Sequence, residues 1–272
     1  MSFGPLITAD ELRTMLDEPE LRIADVRWSL ERGPARDDYI AGHIPGAVFV
    51  DLDHDLSQPT GPGRHPFPSP EHFARAMRRA GVSARTRVVA YDDVGGSVAA
   101  RLWWLLRFYG HDDVAVLDAG LQAWEGPLQQ SWVHVAEGDF RAATPPRAQV
   151  LDFDAVRTLS SDTVLLDARA PERYRGETEP IDPRAGHIPG AVSAFWKGNL
   201  GPDGRFLTTA ELRKRFTGLG VRADSLPVAY CGSGVNACHD LLALELAGLR
   251  GRLYAGSWSD WSGRPEAPVE LG

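Results

Sequence analysis

The chain has 272 residues, 29 Lys and Arg against 37 Asp and Glu, a formal net charge of −8 and 43% hydrophobic content. This length fits two ordinary domains or one large one and needs no disulfides or metals merely to stay folded. The acidic balance excludes a general nucleic-acid binder, and two cysteines, Cys231 and Cys238, are too few for a disulfide framework or a four-thiolate zinc site.

In chain order, the first segment, MSFGPLITADELRTML, has no basic stretch followed by an apolar one, so no secretory signal is expected. No apolar run approaches the roughly 20 residues of a membrane-spanning helix. A soluble protein of a reducing compartment, the cytoplasm, is the expectation. Next comes Leu21-Arg-Ile-Ala-Asp25-Val-Arg27, then the octapeptide AGHIPGAV at 41–48, then Val88-Val-Ala-Tyr91-Asp92, then Asp118-Ala-Gly-Leu-Gln-Ala-Trp124. A connector without apolar periodicity follows at 136–148, with a Pro-Pro pair inside it.

Beyond the connector the series repeats. Val164-Leu-Leu-Asp167-Ala-Arg169, the same AGHIPGAV at 185–192, Pro227-Val-Ala-Tyr230-Cys231 and Tyr254-Ala-Gly-Ser-Trp-Ser-Asp-Trp261 occur in the same order. Four matched blocks in one order mean a duplicated domain, with copies expected at 1–138 and 147–272. In the second copy, Val164–Asp167 and Val228–Tyr230 read as buried strands. Thr208 and Glu211 form a capping box ahead of a helix with Leu212 and Phe216 on one face. Ala237–Ala247 reads as a further helix, stopped by Gly248. Strands interleaved with helices predict an α/β fold, each copy a mainly parallel central sheet flanked by helices, with ligands beyond the strand C-termini.

The segment Cys231-Gly232-Ser233-Gly234-Val235-Asn236 joins such a strand to such a helix. A short turn with two glycines can point successive amides inward, and the helix start adds unpaired N–H groups and the positive end of its dipole. A thiol in that cradle is expected to ionise below its free value of about 8.5 and to act as a nucleophile without a dedicated base. Cys238, seven residues on and inside the expected helix, reads as packing, with a Cys231–Cys238 redox disulfide as the weaker alternative. In the first copy Asp92 stands where Cys231 stands, so that copy is expected to be catalytically silent. Asp25 with Arg27 and Asp167 with Arg169 read as bracing at strand ends, and His43 and His187, in identical octapeptides, as turn-fixing residues.

With these blocks in place the whole chain resembles the two-domain rhodanese superfamily of sulfurtransferases. The resemblance implies two rhodanese-like domains, the carboxy-terminal one carrying a catalytic Cys, here Cys231. It also implies a ping-pong transfer of sulfane sulfur from a small anionic donor to a thiol, such as that of a thioredoxin-like protein, or to cyanide, with no cofactor and no metal. Cys-Gly-Ser-Gly-Val-Asn is similar to the loop of members acting on 3-mercaptopyruvate, apart from Asn236 in place of Thr. It lacks the basic residues of thiosulfate-preferring loops, which favours 3-mercaptopyruvate as donor and leaves thiosulfate:cyanide sulfurtransfer as the alternative. The resemblance places substrate-binding roles on Arg173, Arg184, Gly232, Ser233, Gly234, Val235 and Asn236, with Ser233 suited to hydrogen-bond the donor or assist proton transfer. The guanidinium fork suits a donor carboxylate or sulfonate; the spacing from Arg184 to His187 departs from the family pattern.

Three rival readings are weaker. A phosphatase of related fold wants Arg six residues after Cys, where this chain has Ala237. A noncatalytic sulfur-carrier or interaction module is the second rival, and an interaction module would not need Cys231. A zinc hydrolase is disfavoured because the eight histidines show no HExxH spacing.

Overall fold

A computed structural model describes residues 3–272. The chain divides into two compact units. One takes the described residues up to Pro59, Pro68–Pro145 and Asp203–Arg205; the other takes Thr60–Phe67, Pro146–Pro202 and Phe206–Gly272.

The first unit is built on a five-stranded sheet in the order Leu6–Ile7, Val114–Leu117, Arg87–Tyr91, Leu21–Asp25, Val48–Phe49. Every pairing in it is parallel. The second repeats the order with Val150–Leu151, Arg252–Tyr254, Val228–Tyr230, Leu165–Asp167, Ala191–Ser193, again all parallel. Strands covered on both faces read as continuous apolar runs, and Val114–Leu117 and Val228–Tyr230 are buried throughout. Helices Ala9–Met15, Pro70–Arg79 and Ala99–Phe108 flank the first sheet. Thr209–Gly218 and Asn236–Leu246 are the longest in the second unit, and the Thr208–Glu211 capping box forms as its spacing predicts. Among the described residues no helix is long and apolar enough to cross a membrane.

The Asp-x-Arg bracing is present in both copies. Arg27 binds Asp25 and the Gly42 carbonyl, at 2.7 and 2.8 Å; Arg169 binds Asp167 and the Gly186 carbonyl, at 2.6 and 2.7 Å. Each pair therefore ties a strand end to the turn of the octapeptide. The paired histidines are structural as well. His43 stacks on Tyr39 with its Nδ1 against the Tyr39 carbonyl, and His187 does the same on Tyr174.

One assignment differs from the sequence reading, which kept 60–67 with the first copy. Here that segment is part of the second unit. Gly63 lies so close to the Gly256 backbone that a Cβ would stand 2.5 Å from its carbonyl oxygen, and the Arg64 amide donates to Ser259 Oγ at 2.9 Å. Residues 203–205 are the counterpart in the first unit, where Arg205 faces Asp118.

Candidate active site

The strand Val228–Tyr230 ends at Cys231, whose side chain is buried but not sealed, at 3% exposure. The loop is fixed from outside by the final helix, Ser257–Ser262. The Cys231 amide donates to Ser257 Oγ, the Trp258 amide to the Cys231 carbonyl and the Ser259 amide to the Gly232 carbonyl. Inside the turn, the Gly234 amide donates to Cys231 Sγ at 3.1 Å. A donor aimed at sulfur stabilises negative charge on it. Gly234 reaches this pose at φ +78°, where a side chain would also strike the Ala255 carbonyl at 2.6 Å, so only glycine serves. The helix Asn236–Leu246 starts directly after the turn, with Val235 at its N-cap and no side chain capping its amides. Val235 is buried and Asn236 half-buried.

The first copy shows what this cradle does with an anion of its own. The buried Asp92 carboxylate accepts from the amides of Val94, Gly96, Val98 and Ala99 at 2.7–3.0 Å. Besides lacking a thiol, this copy therefore has its anion position filled by Asp92 itself.

Two residues that the sequence reading did not single out complete the second-unit site. His65 Nδ1 lies 2.8 Å from Ser233 Oγ, both side chains buried. Arg64 Nη1 binds Asp182 Oδ1 at 2.7 Å, and Arg173 Nη2 binds Asp182 Oδ2 at 2.9 Å and Glu179 Oε1 at 2.7 Å. The remaining terminal nitrogens face Gly232: a Cβ there would stand 2.9 Å from Arg64 Nη2 and 3.5 Å from Arg173 Nη1. A side chain at Gly232 would push the tip of Arg64 aside. The loop's own residues carry no charge, as expected, yet two guanidinium groups overlie it. Arg64 Nε is buried without a hydrogen-bond partner. Arg173, one of the expected substrate residues, lies beside Gly232.

Arg184 does not. It donates to the carbonyls of Trp261, Ser262, Arg264 and Ala267, which commits four of its five N–H groups to the C-terminal segment. The correction has a simple cause: the carbonyls of the helix end and of the turn after it converge on this guanidinium, which donates to all four. Cys238 is fully buried and donates to the Gly234 carbonyl at 3.3 Å, and neither cysteine is in a disulfide. Among the described residues no cluster of His, Cys, Asp and Glu suits a metal ion.

The arrangement can hold a nucleophilic sulfur under an amide, grip an anionic group above Gly232 and move a proton through Ser233 and His65. Comparison with known proteins agrees with that chemistry. The family profile "Rhodanese-like domain" matches residues 8–127 and 153–264. A Pseudomonas aeruginosa protein provisionally named 3-mercaptopyruvate sulfurtransferase is 46% identical over 286 residues, covering 100% of both chains. A Mycobacterium tuberculosis protein, provisionally named thiosulfate sulfurtransferase SseB, is 39% identical over 275 residues, 98% of this chain and 97% of its own. The crystal structure of the Escherichia coli 3-mercaptopyruvate sulfotransferase SseA superposes with a TM-score of 0.82 at 37% identity, covering 95% of this chain and 100% of that one.

Proposed function

Because the chain belongs to the rhodanese-like family, as a two-domain sulfurtransferase of the 3-mercaptopyruvate type, we propose that Cys231 takes the sulfur from 3-mercaptopyruvate and passes it to a thiol. The observation that carries this reading is the Gly234 amide on Cys231 Sγ beneath the two guanidinium edges over Gly232.

In the first half-reaction the Cys231 thiolate attacks the donor sulfur. The carbon–sulfur bond breaks, and its electron pair passes to the departing carbon as the enolate of pyruvate. The donor's S–H proton remains on the outer sulfur of the new persulfide until the enolate carbon is protonated, so one thiolate and one mercaptopyruvate give one ionised persulfide and one pyruvate. Arg64 and Arg173 would hold the donor carboxylate, each through the terminal nitrogen left free by Asp182. Ser233 would face the donor carbonyl oxygen. With the proton on Nδ1, His65 donates to Ser233 and leaves the hydroxyl hydrogen for the oxygen that gains charge. Gly232, Gly234, Val235 and Asn236 shape the turn and begin the helix. In the second half-reaction an acceptor thiolate attacks the outer sulfur, its own persulfide forms, and the Cys231 thiolate leaves.

A thioredoxin-like protein or cyanide are the acceptors this chemistry suits, and the need for a reduced acceptor thiol supports the cytoplasm as its setting. Thiosulfate is the second donor, supported by the named activity of the mycobacterial relative. The test is kcat/KM for both donors on one preparation: 3-mercaptopyruvate should be the better substrate, and a large preference for thiosulfate would overturn the donor assignment.

A further inference from the structure

We propose that Asp182 sets the donor's charge, admitting a monoanion and disfavouring a dianion; this rests on the sulfurtransferase reading of the Cys231 site. Six charged side chains form one connected cluster beside the loop. Arg64, Arg169 and Arg173 are the cations; Asp167, Glu179 and Asp182 are the anions. The cluster is electrically balanced. Asp182 is its only member bound to both arginines that face Gly232, one oxygen to each, and its side chain is 3% exposed. Its own amide donates to Glu179 Oε1 at 3.1 Å, which anchors the residue from behind.

Two consequences follow from that bridge. It fixes the two guanidinium planes, so their free edges converge above Gly232 at little further entropic cost on binding. It also removes one unit of positive charge from the place where the donor's anionic group must sit. A monocarboxylate needs the two N–H edges and brings a single negative charge into a neutral cluster. Thiosulfate brings two. Where burial weakens solvent screening, the second charge is the penalised one. The donor selectivity that the loop sequence only suggests therefore has a physical source outside the loop, in a residue seven positions before the second Pro-Gly-Ala-Val and far from Cys231 in sequence.

The experiment is a donor comparison in the native enzyme, D182N and D182E. D182N keeps an acceptor oxygen and removes the charge, so the ratio of kcat/KM for thiosulfate to that for 3-mercaptopyruvate should rise about tenfold. D182E keeps the charge and should hold the ratio near the native one. An unchanged ratio in D182N, with both donors falling together, overturns the proposal and makes Asp182 a merely structural bridge. The native enzyme gives a second readout that needs no variant. Methanesulfonate and sulfate share a tetrahedral shape and differ by one charge, so the monoanion should be the stronger competitive inhibitor against either donor; tighter inhibition by sulfate overturns the charge argument. A native preference for thiosulfate would refute the donor assignment on its own, since the Asp182 effect is measured as a change in ratio.

Discussion

Replacing Asp92 by Ala tests the account of the silent copy. The carboxylate is fully buried and accepts four amide hydrogen bonds, from Val94, Gly96, Val98 and Ala99. A hydrogen bond to a charged group contributes about 1.5–3 kcal/mol, but such contributions do not add, and water can refill part of the cavity. Buried amide donors left without an acceptor cost about 1–3 kcal/mol each before water refills the cavity, so we expect a total loss of about 3–5 kcal/mol for Asp92→Ala. Asp92→Asn should cost less, because one oxygen keeps its two amides while the new NH2 group opposes the other two. The assay is urea unfolding of the full chain combined with amide hydrogen exchange. Because two compact units need not unfold together, exchange at Val94, Gly96, Val98 and Ala99 identifies the transition that belongs to the first unit. A loss below about 1 kcal/mol, with exchange at those amides unchanged, would refute the idea that Asp92 is the cradle's own anion.

Ser233→Ala should lower kcat with 3-mercaptopyruvate by about 100-fold and affect thiosulfate far less, since sulfite leaves without forming an enolate; equal losses with both donors would remove Ser233 from proton transfer. Arg64→Ala and Arg173→Ala should each raise KM for 3-mercaptopyruvate by about tenfold or more through a lost charged hydrogen bond, whereas Arg184→Ala should lower Tm and leave KM in place, and steady-state kinetics with thermal melts separate the two outcomes. Asp240 lies on the helix behind the loop, fully buried and held by Asn199 Nδ2 at 2.7 Å, and burial pushes its carboxyl up to about 7. Its folded pKa is above the unfolded value of 3.8, so the unfolded state ionises first and stability should fall as pH rises from about 4 to 7. Asp240→Asn should flatten that slope, measured as urea midpoints across the window; an unchanged slope would show that Asp240 does not titrate there.

Much of the fold was legible because it is written twice. The duplicated octapeptide, the Asp-x-Arg pairs at 25/27 and 167/169 and the Thr208 capping box all act locally, within a strand end or one helical turn, and local rules predict them. Cys231 was legible for the same reason: a thiol at a glycine-rich strand-to-helix turn has a definite electrostatic setting whatever surrounds it. The rest depended on tertiary placement. Arg64 and His65 sit in a Gly- and Pro-rich stretch with no periodicity, and nothing local assigns that stretch to the second unit. A signal existed: Gly61-Pro62-Gly63-Arg64 has a counterpart in Gly201-Pro202-Asp203-Gly204-Arg205, and these are the turns that each unit draws from the other half of the sequence. Arg184 misled because a guanidinium fork suits backbone carbonyls as well as it suits a carboxylate, and sequence does not show which lies within reach. Asp182 was invisible as a functional residue because its role comes from bridging two arginines 118 and nine positions away.

The central claim is that Cys231 carries the sulfur, and intact-protein and peptide mass spectrometry after brief treatment with 3-mercaptopyruvate tests it most directly. The account predicts a gain of one sulfur atom on the Cys231 peptide, its removal by an acceptor thiol, its absence in Cys231→Ser and its retention in Cys238→Ser. Sulfur found on Cys238, or full sulfur transfer by Cys231→Ser, would contradict it.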